Sequence, residues 1–256
     1  MTAPNVLVLR SPGANCDVES AYAFELAGAK TESIHIRRLL ENPSLVDDFQ
    51  ILCLPGGFSY GDDVSAGRVL GNEVRLHLAD ACNRFKEAGK LVLGICNGFQ
   101  VLMKTGLLDV DDDQGPLATL TLNDSGHFEA RWVRMAVEPG ECVFLQGLSD
   151  IELPVAHAEG KFVARDQAVF DQLASAGRLV LRYTAADGSS PAGYPANPNG
   201  AMGDVAGVCD STGRVFGLMP HPERFVEHTQ HPRWTRGGID GGVGLKVFEN
   251  AVGYFR

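Results

Sequence analysis

Leu91-Val-Leu-Gly-Ile-Cys-Asn-Gly-Phe-Gln100 reads as a strand that turns sharply into a helix, with a cysteine at the tip of the turn. Residues 91 to 95 are apolar apart from Gly94, as in a strand buried on both faces of a parallel sheet. Phe99, Val101, Leu102 and Met103 then open an apolar-faced helix expected to stop at Gly106. Between the two lies Gly94-x-Cys96-x-Gly98, the cysteine form of the G-x-S-x-G turn that presents a nucleophile. The spacing has a steric cause: a chain that reverses within a few residues leaves no room for Cβ atoms two positions either side of its tip. Such a turn is expected to hold Cys96 strained above the sheet, with unpaired helical N–H groups favouring its thiolate. Alone, the pattern fits a small buried cysteine at a tight turn equally well.

Outward from this stretch, strands alternate with helices. Val6–Leu9 is a first buried strand, followed by a turn at 11–15 and a helix from about Asp17 to Gly28. Lys30–Arg38 alternates as a second strand, Pro43–Phe49 fits a short helix, and Ile51–Leu54 is a third strand ending in the glycine-rich loop Pro55-Gly-Gly-Phe-Ser-Tyr-Gly-Asp62. Leu70, Val74, Leu78, Ala81 and Phe85 predict one amphipathic helix over 64–88. This alternation implies a doubly wound, mostly parallel α/β sheet that binds ligands at the C-terminal strand ends, where both the 55–62 loop and Cys96 would sit. From 117 the pattern changes to short strands, expected to be antiparallel: 117–122, 128–137, 143–145 and the extended piece 153–160. A helix at 166–177, a strand at 179–183, a Gly/Pro/Asn-rich loop at 187–204, a hairpin of 205–209 with 215–218 and a closing helix at 245–254 complete the reading. No repeat or interdomain linker interrupts it, so residues 1–256 are expected to form a single domain.

The composition, 45% apolar and 21% charged, is that of an ordinary globular protein. A formal charge of −10 with scattered Lys and Arg argues against a nucleic-acid surface. No apolar run approaches the ~20 residues of a membrane span. Val6–Leu9 is too short for the core of a signal peptide, so the expected compartment is the cytoplasm. The six cysteines show neither a C-x-x-C pair nor a secretory context and read as reduced thiols, with no metal site expected.

A thiolate nucleophile needs a base, and the base an orienting acid. His221-Pro222-Glu223 offers both within three residues. Pro222 restrains His221 to extended backbone, where residues two apart face the same side, so Glu223 is placed to hold the imidazole. The strand at 215–218 carries the tripeptide to a strand's C-terminal end, like Cys96. The N–H groups near Gly57 and of Asn97 are the natural donors of an oxyanion hole.

Gly94-Ile-Cys96-Asn-Gly-Phe-Gln100 with a distant His221-Pro-Glu223 resembles the class I, or triad, glutamine amidotransferases. Four segments narrow the resemblance to the glutaminase subunits of phosphoribosylformylglycinamidine synthase: residues 55–63, the Cys96 turn, Tyr194-Pro-Ala-Asn-Pro-Asn-Gly200 and Met219-Pro-His-Pro-Glu-Arg224. Together with Ala156-His-Ala-Glu-Gly160 they span most of the chain. The resemblance implies a flavodoxin-like, three-layer αβα fold with a small antiparallel extension. It also implies hydrolysis of L-glutamine through a thioester on Cys96, with His221 and Glu223 as triad partners and Gly57 and Asn97 as oxyanion donors. Gln100, His157 and Glu159 are implied to line the glutamine pocket. Ammonia would pass to a separate synthetase subunit, aided by a small adaptor protein, for the ATP-dependent conversion of formylglycinamide ribonucleotide in purine synthesis. Two departures stand out: Ala158 replaces the family's glycine, and residues 225–244, with Trp234, Gly237-Gly238 and Gly241-Gly242, are longer than expected.

No G-x-x-x-x-G-K-[ST] or G-x-G-x-x-G is present, so no cofactor is expected on this chain, and ATP with magnesium belongs to the synthetase. Asp109-Val-Asp-Asp-Asp113 lacks the glycine and glutamate of a calcium loop and reads as a solvated acidic turn. Two other enzymes remain as alternatives: an amidotransferase serving another acceptor, and a cysteine hydrolase of similar fold. For the latter, a histidine is expected where Asn97 stands. An α/β-hydrolase is disfavoured because Glu223 follows His221. A non-catalytic regulatory subunit is opposed by the intact Cys96, His221 and Glu223.

Overall fold

The computed structural model describes residues 3–236 and 241–256. Its first half alternates as the periodicity requires: β1 (Asn5–Arg10), α1 (Asp17–Leu26), β2 (Lys30–His35), α2 (Ile36–Glu41), β3 (Ile51–Leu54), α3 (Arg68–His77), α4 (Ala79–Glu87), β4 (Leu91–Ile95) and α5 (Asn97–Leu102). A two-residue hairpin, β5 (Asp111–Asp112) and β6 (Gly115–Pro116), leads into β7 (Ala118–Leu122), β8 (Glu129–Val137), β9 (Asp150–His157) and β10 (Glu159–Ala164). The chain closes with α6 (Gln167–Ser175), β11 (Leu181–Thr184), β12 (Val205–Cys209), β13 (Val215–Leu218) and α7 (Leu245–Gly253).

One nine-stranded sheet runs in the order β2-β1-β3-β4-β13-β12-β11-β8-β9. The first five strands are parallel and the last four join antiparallel. The order 2-1-3-4 is that of a flavodoxin-like doubly wound sheet, and the antiparallel extension is larger than the sequence suggests. β3, β4 and β13 are buried along their whole length because both faces are covered. Alternate side chains of β3 serve the two layers: Leu52 and Leu54 pack with Val74, Leu78 and Ala81, while Cys53 meets Ser20 of α1. On the α1 side, Phe24 stacks edge-on against Phe248 of α7 at 4.8 Å. Each large apolar side chain so buried contributes about 1.5–3 kcal/mol.

Several elements depart from the periodic reading. The helix expected over 64–88 is two, parted where Leu78 takes φ −121° and ψ 5°, and it begins only at Arg68. The second strand stops at His35, whose ring nitrogen accepts the Arg37 N–H and starts α2. Val143–Leu145 is a 3-10 turn, not a strand; three consecutive apolar residues carry no period, and their burial here is against α7, where Asn250 Nδ2 donates to Phe144 O and Gln146 O. The elbow helix α5 ends at Leu102, and turns carry the chain on to Gly106. The extended piece 153–160 is two strands that part at Ala158: β9 stays in the large sheet and β10 pairs with β7 in a separate one. The acidic 109–113 stretch enters the small hairpin, where Arg165 grips Asp112 through both oxygens. Gly237 and Gly238 lie outside the described residues.

Candidate active site

The C-terminal ends of three neighbouring strands make the site. Gly94 of β4 is in register with Leu54 of β3 and with Gly217 of β13, and the Cys96 N–H donates to Leu218 O at 2.8 Å as the last rung. Immediately beyond, β3 yields Pro55-Gly56-Gly57, β4 yields Cys96, and β13 runs on to His221 and Glu223. Cys96 holds φ +51° and ψ −106°, a conformation rare for any residue with a Cβ. The reason lies in the flanking glycines. A Cβ on Gly98 would stand 1.8 Å from Leu54 O, and one on Gly94 would stand 2.7 Å from Gly98 O. Helix α5 therefore begins in direct backbone contact with β3, and the turn between takes the strain.

His221 is buried, with φ −106° and ψ 90°, and its N–H donates to Pro154 O of β9. Pro222–Arg224 forms a 3-10 turn, so Glu223 reaches the ring by curling back and not by extended-chain alternation. The contact is short: His221 Nδ1 to Glu223 Oε1 is 2.6 Å. Burial works against the imidazolium, but the Glu223 carboxylate and the nearby Cys96 and Cys16 outweigh it and hold the His221 pKa well above the usual histidine range. Cys96 Sγ lies 3.6 Å from Ala156 O, and Cys16 Sγ 3.1 Å from Arg224 Nη2. Nδ1 is thus held by a carboxylate, leaving Nε2 free for a second partner.

Asn97 is fully engaged through its side chain. Its Oδ1 accepts the Ser59 N–H at 3.1 Å, and its Nδ2 donates to Asp62 Oδ1 and Gln100 Oε1. It ties the 58–63 loop, where Tyr60 and Asp62 both take positive φ, to the start of α5. The backbone N–H groups of Gly57 and Asn97 have no hydrogen-bond acceptor among the described residues. Gln100 spends its amide on the protein, accepting from Asn97 and donating to Glu159 O at 2.6 Å. The Glu159 carboxylate accepts the Ala66 N–H. His157 sits buried with Nδ1 3.1 Å from Asn123 Oδ1, and burial together with the charge on His221 pushes its pKa down to about 4. Ala158 is exposed at the corner between β9 and β10 and does not take a left-handed φ, so nothing in its own conformation requires the glycine it replaces.

The sequence matches the family described as the CobB/CobQ-like glutamine amidotransferase domain over residues 3–255. The chain belongs to the glutamine amidotransferases. It is 53% identical over 258 residues to the phosphoribosylformylglycinamidine synthase subunit PurQ of Dehalococcoides mccartyi, covering 100% of this chain and 99% of that protein. The corresponding subunit of Methanococcus maripaludis is 40% identical over 268 residues, covering 98% and 97%. Among solved structures, a chain of PurLQS from Thermotoga maritima superposes with a TM-score of 0.75 at 32% identity, covering 100% of both chains. A second structure, a glutamine amidotransferase of Thermotoga maritima, shares the fold at a TM-score of 0.53 and 15% identity, covering 99% of this chain and 94% of that one.

Three residues have structural roles that the motifs do not reveal, although Asn199 lies within one of them. Asn123 donates through Nδ2 to His157 O and His127 O, and its N–H donates to Ala158 O, so it fixes the whole 157–158 corner. Asn199, fully buried, donates to Gly160 O at 2.8 Å. The Asn-Pro-Asn-Gly segment thus braces the start of β10. Cys16 caps α1 on the loop after β1, which lies beside the β3 loop: the N–H groups of Asn15 and Cys16 donate to Gly56 O. Its Sγ is 3.1 Å from Arg224 Nη2, and the Arg224 Nε donates to Glu19. The available signal was topological, since β1 adjoins β3 in this strand order and its C-terminal loop must meet the glycine loop.

Proposed function

We propose that this chain is the glutaminase subunit of a phosphoribosylformylglycinamidine synthase. The observation that carries the chemistry is the convergence of Cys96, at a strained turn, on a buried imidazole whose far nitrogen is held 2.6 Å from a carboxylate. In this reading Cys96 attacks the side-chain amide carbon of L-glutamine and its proton passes to His221. The tetrahedral oxyanion is held by the Gly57 and Asn97 N–H groups, which have no other acceptor among the described residues. His221 then protonates the departing ammonia, leaving a γ-glutamyl thioester, and water directed by the same imidazole releases glutamate. Glu223 keeps the ring in one orientation and stabilises its charged form. His157 and Glu159 stand on the pocket wall, and Gln100 positions that wall.

The ammonia is passed to a synthetase subunit, which supplies ATP, magnesium and the phosphorylated acceptor; a small adaptor completes the assembly. The likeness to a chain of the Thermotoga maritima PurLQS and the names of the relatives support this arrangement. Exposed apolar groups near the cleft suit a docking face: Phe58 and Phe128 lie with ring centroids 6.4 Å apart. A cleft of about 690 Å³ is lined by Asp124, Ser125 and the 191–204 loop with Tyr194. No helix of the described residues is long and apolar enough to cross a membrane, and the cytoplasm is the compartment proposed.

The test is Cys96→Ala in the reconstituted complex. Glutamine-dependent formation of the amidine should be lost while synthesis from added ammonium salt persists at the wild-type rate. Survival of the glutamine-dependent reaction would refute the assignment.

A further inference from the structure

Two members of the triad, His221 and Glu223, share a second constellation with Cys16, a buried thiol that glutamine hydrolysis does not use. Ligating atoms of Cys16, His221 and Glu223 lie within 4.8 Å of one another, and all three side chains are buried. Two of the polar atoms there, His221 Nε2 and Glu223 Oε2, are buried with no hydrogen-bond partner among the described residues. Leaving such atoms unpaired costs on the order of 1–3 kcal/mol each, more for the carboxylate. The cluster is closely confined: a Cβ added to Gly56 would fall 2.9 Å from His221 Cε1 and 3.1 Å from Cys16 Sγ.

We infer that Cys16, His221 and Glu223 form a binding site for a soft divalent cation, of which zinc is the type, and that its occupancy switches the triad off. The donor set is one thiolate, one imidazole nitrogen and one carboxylate oxygen, the three ligand types zinc takes, with a fourth position left to water. A tetrahedral ion at about 2.0–2.3 Å from each donor needs the donors about 3.5 Å apart, so the cluster closes by roughly an ångström from its present spread. Binding is ligand exchange without redox change. The aqua ion gives up three waters, the thiol proton of Cys16 goes to solvent, and a protonated imidazole loses its proton at the metallated nitrogen. Either ring nitrogen gives the same consequence. At Nε2 the ion blocks proton transfer to Cys96; at Nδ1 it displaces the Glu223 hydrogen bond that keeps the ring in place. Cys16 comes from the loop after β1 and lies outside any histidine or cysteine spacing motif, which is why the sequence shows no metal signature.

The consequence for turnover rests on the glutaminase reading, whereas the binding measurement does not. Apo protein is titrated with Co²⁺ and followed by the thiolate-to-cobalt charge-transfer band, then competed with Zn²⁺ against a chromogenic chelator, using the full chain as wild type, Cys16→Ser, Cys96→Ala and Cys142→Ser. One equivalent with a thiolate band is expected in wild type, Cys96→Ala and Cys142→Ser. Cys16→Ser should lose the band and at least tenfold in Zn²⁺ affinity. In glutamine hydrolysis, Zn²⁺ should inhibit wild type reversibly on addition of chelator, with the half-inhibitory concentration raised at least tenfold in Cys16→Ser relative to its own metal-free rate. No stoichiometric binding by wild type, an unchanged band in Cys16→Ser, or loss of the band in Cys96→Ala would each overturn the site. Stoichiometric binding in a chain without glutaminase activity would instead uphold the site and refute the enzymatic reading.

Discussion

Gly98→Ala probes the elbow where packing and chemistry are the same contact. The added methyl would meet Leu54 O at 1.8 Å and Leu54 C at 2.6 Å, both backbone atoms of a strand buried on either side. Relief to an ordinary van der Waals separation needs α5 and β3 to part by about 1.5 Å, and a one-ångström misplacement of catalytic groups alone costs on the order of 100-fold in rate. Overpacking of a tight core costs about 1–3 kcal/mol, and a backbone obstacle places this variant at or above the upper end. For a domain of this size that corresponds to a fall of about 6–12 °C in Tm. The assay pairs a thermal melt with glutamine-dependent and ammonia-dependent turnover in the reconstituted complex. Glutamine-dependent kcat should fall at least ~100-fold while the ammonia-dependent rate stays within about twofold, since only the elbow is displaced. Gly253→Ala is the control: at the end of α7 its Cβ meets nothing within 4 Å, and alanine there should be neutral or stabilising by up to ~1 kcal/mol. A Gly98→Ala protein that melts with wild type and turns over glutamine at the wild-type rate would refute the steric account of the elbow.

Two further outcomes follow from the same geometry. Glu223→Gln keeps the shape of the side chain but removes the charge 2.6 Å from His221 Nδ1; glutamine-dependent kcat should drop roughly 10³–10⁴-fold, as for other orienting carboxylates, and the imidazole pKa should fall, which histidine NMR titration reads directly. An unshifted His221 resonance would show that the carboxylate does not set its charge. For His157 the folded pKa, about 4, lies below the unfolded value of 6.5. Between those values the unfolded chain binds the proton, so this contribution to stability is complete above pH 6.5 and is lost as pH falls toward 4, amounting to roughly 3 kcal/mol in full. Denaturant melts from pH 7 to 4 should show that slope in wild type and a flatter one in His157→Gln; equal slopes would rule His157 out as its source.

What the sequence makes legible is set by how local the cause is. The Cys96 elbow is written in five residues, because Gly94 and Gly98 are demanded by contacts with the turn's own helix and with the adjoining strand. His221-Pro-Glu223 is legible as a set of chemical groups, yet its geometry is not: the proline begins a 3-10 turn that no alternation rule describes. The 64–88 helix keeps its apolar stripe across the break at Leu78, so periodicity reads straight through it. Cys16 meets Arg224 across 208 residues of chain, and no window of sequence contains that contact. Asn199 belongs to a motif that helps identify the family, but its role is visible only once Gly160 O is found as its acceptor.

The parts of the site tied to the sheet and the parts tied to loops obey different constraints. β3, β4 and β13 deliver the glycine loop, Cys96 and His221 through one parallel register, in which Gly94 and Gly217 lie side by side. A Cβ on Gly217 would fall 2.1 Å from the ring of Phe99, so the α5 face is also fitted to that register. A slip of one residue would reverse every side chain of these strands and separate the chemical groups at once. Residues 58–64, 122–128 and 187–204 stand outside the register and expose Phe58, Val64, Phe128 and Tyr194 to solvent. Substitution of those four exposed side chains leaves the core intact, whereas Asn123 and Asn199 in the same segments are buried and structural. The groups at the strand ends are therefore bound to the fold itself, while exposed loop side chains are free to change without disturbing them, which is how one α/β core can carry different surfaces.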